Sequence, residues 1–268
     1  MISINTNYGS MYDSKSASAA QNTMNVSMER LSSGLRINSA KDDAAGQGIA
    51  MRLSAEIQSI QMASRNASDA QAMIETADGA HQGVHNMLLR MREIAVQAAN
   101  GTLSTADRTA LNEEVTALET EITSIADNTS FAGTNLGTST AVTFQIGTEN
   151  GDTLSHTFKD FDKTKIGASV AVDTVTNAAA ALTLLDNAIS LVSTRRGELG
   201  ALSNRLSSTI ANLDNISVNL SSARGRIQDT DFAQETSNLA KSQIMQQAAT
   251  AMLAQANASK QTVLALIQ

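Results

Sequence analysis

From Ile60 to Ala98 the apolar residues recur alternately three and four positions apart, at Ile60, Ala63, Ala67, Ala70, Ile74, Ala77, His81, Val84, Leu88, Met91, Ala95 and Ala98. Only His81 departs from apolar character. Such alternation, sustained along one helix face, is the pattern of a coiled-coil seam. A helix of that extent is about 58 Å long. Asn100-Gly101 ends it, and Ser104 followed by Asp107 supplies a capping box for a second helix with the stripe Leu111, Val115, Leu118, Ile122 and Ile125. The short break makes the two antiparallel neighbours. The C-terminal third repeats the period at Leu182, Leu185, Ile189 and Val192, then from Leu199 through Leu202, Leu206, Ile210, Leu213, Ile216, Leu220 and Ala223 to Ile227. This predicts a third long helix sharing the seam, weakened locally at Gly197 and Gly200 by up to about 1 kcal/mol each.

Residues 129–176 change character. Val142, Phe144 and Ile146 alternate, Asn150-Gly151 signals a tight turn, and Leu154, His156 and Phe158 alternate again, which predicts one β-hairpin. The fold class is therefore mainly α: a long coiled-coil helical bundle with a small β-hairpin region.

The two ends are amphipathic and nearly uncharged. Residues 1–28 carry only Asp13 and Lys15, and residues 242–268 only Lys260, where the chain-wide charged share would place about nine. Apolar positions keep helical spacing at Ile4, Tyr8 and Met11, at Met24, Met28, Leu31 and Leu35, and at Met245, Ala249, Met252, Ala256, Val263 and Leu266. The terminal helices are expected to pair. A pair hides one stripe of each partner and leaves the remaining faces without the charges that hold helices apart in water. Further copies of the chain are the expected cover, and without them the ends bury too little to offset the entropy of ordering.

Composition narrows the function. Average usage would give roughly 13 prolines, yet the 268 residues contain none, and no Trp or Cys; aromatics total 3%. Long unbroken helices with aliphatic seams follow. Absence of Cys excludes disulfides and thiolate metal sites and leaves the compartment open. A net charge of -7, with no basic cluster and no aromatic platform, argues against nucleic acid. No apolar run approaches the ~18 residues of a membrane span, so no membrane anchor is expected. Met1 to Ser10 has neither the basic nor the apolar region of a cleavable signal.

Candidate chemistry is sparse. His81 and His85 stand four apart on a helix, as zinc ligands can, but His81 holds a seam position, Gln82 stands where a metalloprotease needs Glu, and there is no third ligand. Asp160, Asp162 and Thr164 open like a calcium loop, but Lys165 and Ala171 occupy the positions that need Gly and Glu. Asp42 and Asp43 read as a charged turn and helix start rather than an acid pair. No nucleophile with a base and orienter is visible, so no enzyme, cofactor or metal is expected.

The run Arg30 to Gly46, RLSSGLRINSAKDDAAG, resembles the N-terminal signature of bacterial flagellins. Further similar motifs are Met91 to Thr102 (MREIAVQAANGT), Phe144 to Gly147 (FQIG) and Ala251 to Asn257 (AMLAQAN), in the family's order and over nearly the whole chain. The resemblance implies a filament subunit with an inner layer of both ends, 1–41 plus 229–268, and an outer layer, 42–228, that includes the hairpin segment 129–176. The short middle implies a form lacking variable outer domains. Asn38, Lys41, Asp42 and Asp43 then link the layers, and the terminal apolar positions named above form the assembling core.

The resemblance also implies partners: the chain itself as a helical homopolymer, an export chaperone, the hook-filament junction and filament cap proteins, and, through Arg90, Ile94 and Glu114, the flagellin-sensing Toll-like receptor. It implies an extracellular filament used for swimming, exported through the flagellar type III secretion channel. The alternative is a hook-filament junction protein, whose relatives usually read Asp-Asp-Pro where this chain has Asp42-Asp43-Ala44. The tail Ser259 to Gln268 departs from the family in lacking proline and ending in Gln.

Overall fold

The computed structural model describes residues 6–265, with side chains for 6–259. Its elements run α1 (Tyr8–Ser33), α2 (Ala44–Ala98), α3 (Thr105–Asn128), β1 (Ser130–Phe131), β2 (Thr134–Asn135), β3 (Thr140–Gln145), β4 (Thr153–Phe158), α4 (Lys163–Ile166), α5 (Val175–Gln228) and α6 (Phe232–Ala265). Side chains cap the helix starts: Asn7 accepts from the Ser10 N–H, Asp43 from Gly46, Thr174 from Asn177, and Asp231 from Ala233 and Gln234. Ser104 and Asp107 form the reciprocal capping box that their spacing predicts.

Contacts divide the chain into two compact units, 1–55 with 219–268, and 56–218. These boundaries fall inside the long helices α2 and α5, the first after and the second before the layer limits of 41 and 229 that the resemblance suggests.

In the 56–218 unit every one of the twelve seam positions from Ile60 to Ala98 is buried. The core has two parts. In one, α2 and α5 pack with α3 and with a strap formed by residues 161–172, burying Leu88, Met91, Val115, Ile122, Phe161 and Leu185. In the other, α3 has ended and the hairpins take its place, laying Leu136, Leu154 and Phe158 on Ile74, Leu199 and Leu206.

Strands β3 and β4 pair antiparallel from Thr140 opposite Phe158 to Gln145 opposite Thr153. Gly151 turns the hairpin at φ 102°, a left-handed conformation that other residues adopt at a cost. The two-residue hairpin β1-β2 was not foreseen from the pattern. It leads into Gly137, where a Cβ would lie 1.8 Å from the Ala126 carbonyl oxygen, so only glycine lets this loop close on the end of α3.

Two charged residues hold the loops to α3. Glu119 accepts from the Val170 N–H at 2.7 Å and pairs with Lys163 at 3.3 Å, while Asn112 accepts from Val172. Arg108 is buried against the end of α2. Helix α5 contains an 18-residue window of mean hydropathy 1.4, apolar and long enough to cross a membrane by that measure, contrary to the expectation of no such run. Its Ala178, Ala181, Leu185, Ala188 and Val192 are buried in the core seam.

In the other unit α1 and α6 lie antiparallel. Asn7 donates to the Ala256 carbonyl, Gln246 donates to Gln21, and Arg30 faces Glu235 at 3.8 Å. The links beyond them also pair: Leu35 bridges Asp229, the Arg36 N–H donates to Gln228 O at 2.7 Å, and Thr230 donates to Gly34 O.

Candidate assembly surfaces

The inside of the α1/α6 pair mixes small and polar residues with the half-buried Met24, Leu31, Leu239 and Leu253. Ala20, Ser27 and Ser242 are buried, Gln21 meets Gln246, and Ala249 and Ala256 are half-buried. Many large side chains stand outside. Tyr8 is 73% exposed, Met11 64% and Met252 59%, and Tyr12, Met28, Phe232, Ile244 and Met245 are exposed as well. Met24, Leu31 and Leu35 are half-buried. The predicted terminal stripe thus splits: Met24, Leu31, Ala249 and Ala256 lie half-buried on the side of the partner helix, and Tyr8, Met11, Met28, Met245 and Met252 lie toward solvent. Ile4 and Leu266, and the Val263 side chain, lie outside the described residues.

A surface of exposed Tyr, Met, Phe and Ile on nearly uncharged helices is the kind that marks an association site.

At the predicted linker, Asp42 Oδ2 accepts from the backbone N–H groups of Ser39 and Asn38 and from the Ser39 hydroxyl. These hydrogen bonds favour the ionised form and hold the Asp42 carboxyl below the usual carboxylate range. Asn38 donates to Ser33, Asp43 caps α2, and Lys41 is exposed. The two acids therefore shape a turn and a helix start.

Of the three residues carried over as receptor contacts, Arg90 and Glu114 are exposed and bridged at 2.8 Å, with Glu93 also on Arg90. Ile94 is different. It is 1% exposed, because its side chain packs in the core seam of the 56–218 unit.

His81 is 3% exposed; its Nδ1 donates to Ala77 O at 2.8 Å, and its ring lies 4.5 Å from Phe161. Burial among apolar neighbours pushes its pKa down. Its Nε2 and the Arg195 Nε have no hydrogen-bond partner, and both residues line a cavity of about 10 Å³ with His156 and Glu198. Among the described residues, no three His, Asp or Glu side chains cluster as metal ligands would.

Residues 4–139 match the family model of the bacterial flagellin N-terminal helical region, and residues 182–267 that of the C-terminal helical region. The chain belongs to the bacterial flagellin family. A flagellin of Halalkalibacterium halodurans is 41% identical over 270 residues, covering 99% of each chain. Flagellin D of Vibrio anguillarum is 33% identical, again over 99% of each, but spread across 374 aligned positions. This chain is the short form of flagellin, without the outer domains. Among solved structures, a Bacillus cereus flagellin is 32% identical with a TM-score of 0.52, covering 56% of this chain and 88% of its own. A putative flagellar hook-associated protein from Vibrio parahaemolyticus, 16% identical with a TM-score of 0.60 over 70% of this chain and all of its own, shares the fold.

As a flagellin, the chain is a structural subunit that self-associates into the extracellular flagellar filament of motile bacteria.

Proposed function

We propose that the outward side chains of α1 and α6, foremost Tyr8, Met11, Met28, Met245 and Met252, are the contacts through which one subunit packs on the next. The observation that carries this reading is the exposure of these large apolar side chains on the outside of the terminal pair. Fully burying one such side chain is worth about 1.5–3 kcal/mol, so a few of them per neighbour suffice to drive association. Residues 1–41 with 229–268 then form the inner layer of the filament and 42–228 the outer one, with Asn38 to Asp43 as the link.

The finer partners follow the same logic. An export chaperone would cover the apolar α6 before secretion through the flagellar type III channel. Cap and junction proteins would meet the same inner surface at the filament ends. Toll-like receptor recognition, if retained, rests on Arg90 and Glu114 alone. The chain has no catalytic role in this reading.

Seeded elongation tests the contact surface. Filament fragments are mixed with wild-type or Met252→Asp subunits and followed by negative-stain electron microscopy. Wild type should elongate without limit and the variant should not, with circular dichroism of the variant unchanged over the 56–218 unit. Normal filaments from Met252→Asp would overturn the reading.

A further inference from the structure

The outer surface of the α1/α6 pair has a chemical property beyond being apolar. Its large side chains include four exposed thioethers, Met11, Met28, Met245 and Met252, whereas Met73 and Met91 of the other unit are buried. The chain has no Cys and no Trp, so thioether sulfur is its most readily oxidised group. The filament is extracellular, where a subunit meets whatever oxidant its surroundings contain.

We propose that Met11, Met28, Met245 and Met252 constitute an oxidation site for peroxide-class oxidants, through which oxidation of the free subunit blocks its polymerisation. In the step itself the thioether sulfur attacks one peroxide oxygen. An S–O bond forms, the O–O bond breaks, and the departing oxygen takes up the transferred proton and leaves as water. Sulfur is oxidised by two electrons and the peroxide is reduced by two. The product is a sulfoxide, polar and a strong hydrogen-bond acceptor.

The effect on assembly depends on where these sulfurs end up, and so the inference rests on the contact-surface reading above. A thioether is a flexible apolar filler suited to imperfectly matched surfaces. A sulfoxide at the same place carries an acceptor into a contact that offers few donors, and burying it unsatisfied weakens association by about tenfold or more. Assembly and oxidation therefore oppose each other. The free subunit exposes the four sulfurs, and the polymer covers them.

The test treats free subunit and finished filament separately with dilute hydrogen peroxide, maps sulfoxides by peptide mass spectrometry, and then measures seeded elongation. In free subunit the four methionines should gain oxygen well before Met73 and Met91, and in filament they should resist. Oxidised subunit should elongate seeds about tenfold more slowly or worse, and treatment with methionine sulfoxide reductases should restore the rate. A variant with all four replaced by Leu should keep its rate after peroxide.

Normal elongation by subunits carrying all four sulfoxides would overturn the inference. So would failure of the reductases to restore it, or an equal loss in the four-Leu variant, which would move the effect to the exposed Met51 and Met62. The two readings fail differently. If untreated Met252→Asp assembles, the contact surface itself is wrong; if it is blocked while sulfoxides are harmless, only the oxidation site is.

Discussion

Arg108 donates from Nε to the carbonyl oxygen of Ala98 at 2.9 Å, and from Nη2 to that of Asn100 at 2.9 Å. These carbonyls belong to the last turn of α2 and the turn that follows, where no helical N–H is available. A buried guanidinium thus closes the end of the longest helix and meets its negative pole.

Arg108→Ala should therefore destabilise the 56–218 unit by about 1–3 kcal/mol, since it removes a charged donor from both carbonyls and leaves that of Ala98 without a donor, while the Asn100 oxygen keeps the Leu103 N–H at 3.4 Å. Urea unfolding followed by circular dichroism reads this directly. Arg108→Lys should recover only part, because one ammonium cannot fork to both oxygens. A variant as stable as wild type would contradict the capping role.

His81 sets a pH dependence. Burial lowers its folded-state pKa below the ordinary 6.5; Ala77 O and Asp78 oppose that shift, and Arg195 and Arg196 from α5 reinforce it. His156, Lys159 and Glu198 line the same cavity. A depressed folded-state pKa means that the unfolded chain takes up the proton first. Stability is complete above pH 6.5 and falls as pH drops through 6.5 toward the folded value, by about 1.4 kcal/mol per pH unit across that window. Unfolding midpoints measured between pH 5 and about 8 should show this slope in wild type and a flatter one in His81→Leu. Equal slopes would remove His81 as the cause.

Glu119 should control the strap. Glu119→Ala leaves the Val170 N–H without an acceptor and Lys163 without its carboxylate, a loss of about 1–3 kcal/mol confined to residues 163–172. Hydrogen exchange should speed up at Val170 while the amides of α2 keep their protection. Uniform acceleration across the unit would mean that the strap and the helices open together.

The seam of the terminal pair fully buries only small or polar residues of α1 and α6, Ala20, Ser27, Glu235 and Ser242, and so returns little transfer energy against about 1–2 kcal/mol per residue of ordering entropy. In the isolated subunit, protease should trim both ends quickly, near Arg30 to Lys41 and near Arg226 to Lys241, and leave a stable central fragment. Filament should resist at the same bonds. Equal protection in both states would show that the pair holds without neighbours.

The long helices and the main hairpin were legible because a single requirement, burial against one partner face, governs them. All twelve positions from Ile60 to Ala98 obey it, and Val142, Phe144 and Leu154 obey its two-residue counterpart in the strands. The terminal helices serve two requirements at once, contact within the chain and contact beyond it. Hydropathy spacing cannot separate these, so Met252 and Ala249 fell into one stripe although they face different ways. Arg108, Glu119 and Glu235 were missed for another reason. Each is a charged residue buried because a backbone group or a single partner awaits it, and periodicity carries no sign of that.

Small seam positions of the terminal pair repeat every seven residues, the buried Ala20 and Ser27 on α1, and the buried Ser242 with the half-buried Ala249 and Ala256 on α6. Slid by one heptad, roughly 10 Å along the axis, α1 would find nearly the same small faces opposite it. What distinguishes the observed alignment is polar: Arg30 against Glu235, which is 5% exposed, Gln21 against Gln246, and Asn7 against the Ala256 carbonyl. A single polar contact in an otherwise uniform seam is enough to fix register. These three polar contacts therefore act as an index mark: the apolar surface supplies adhesion, and they decide where it is applied.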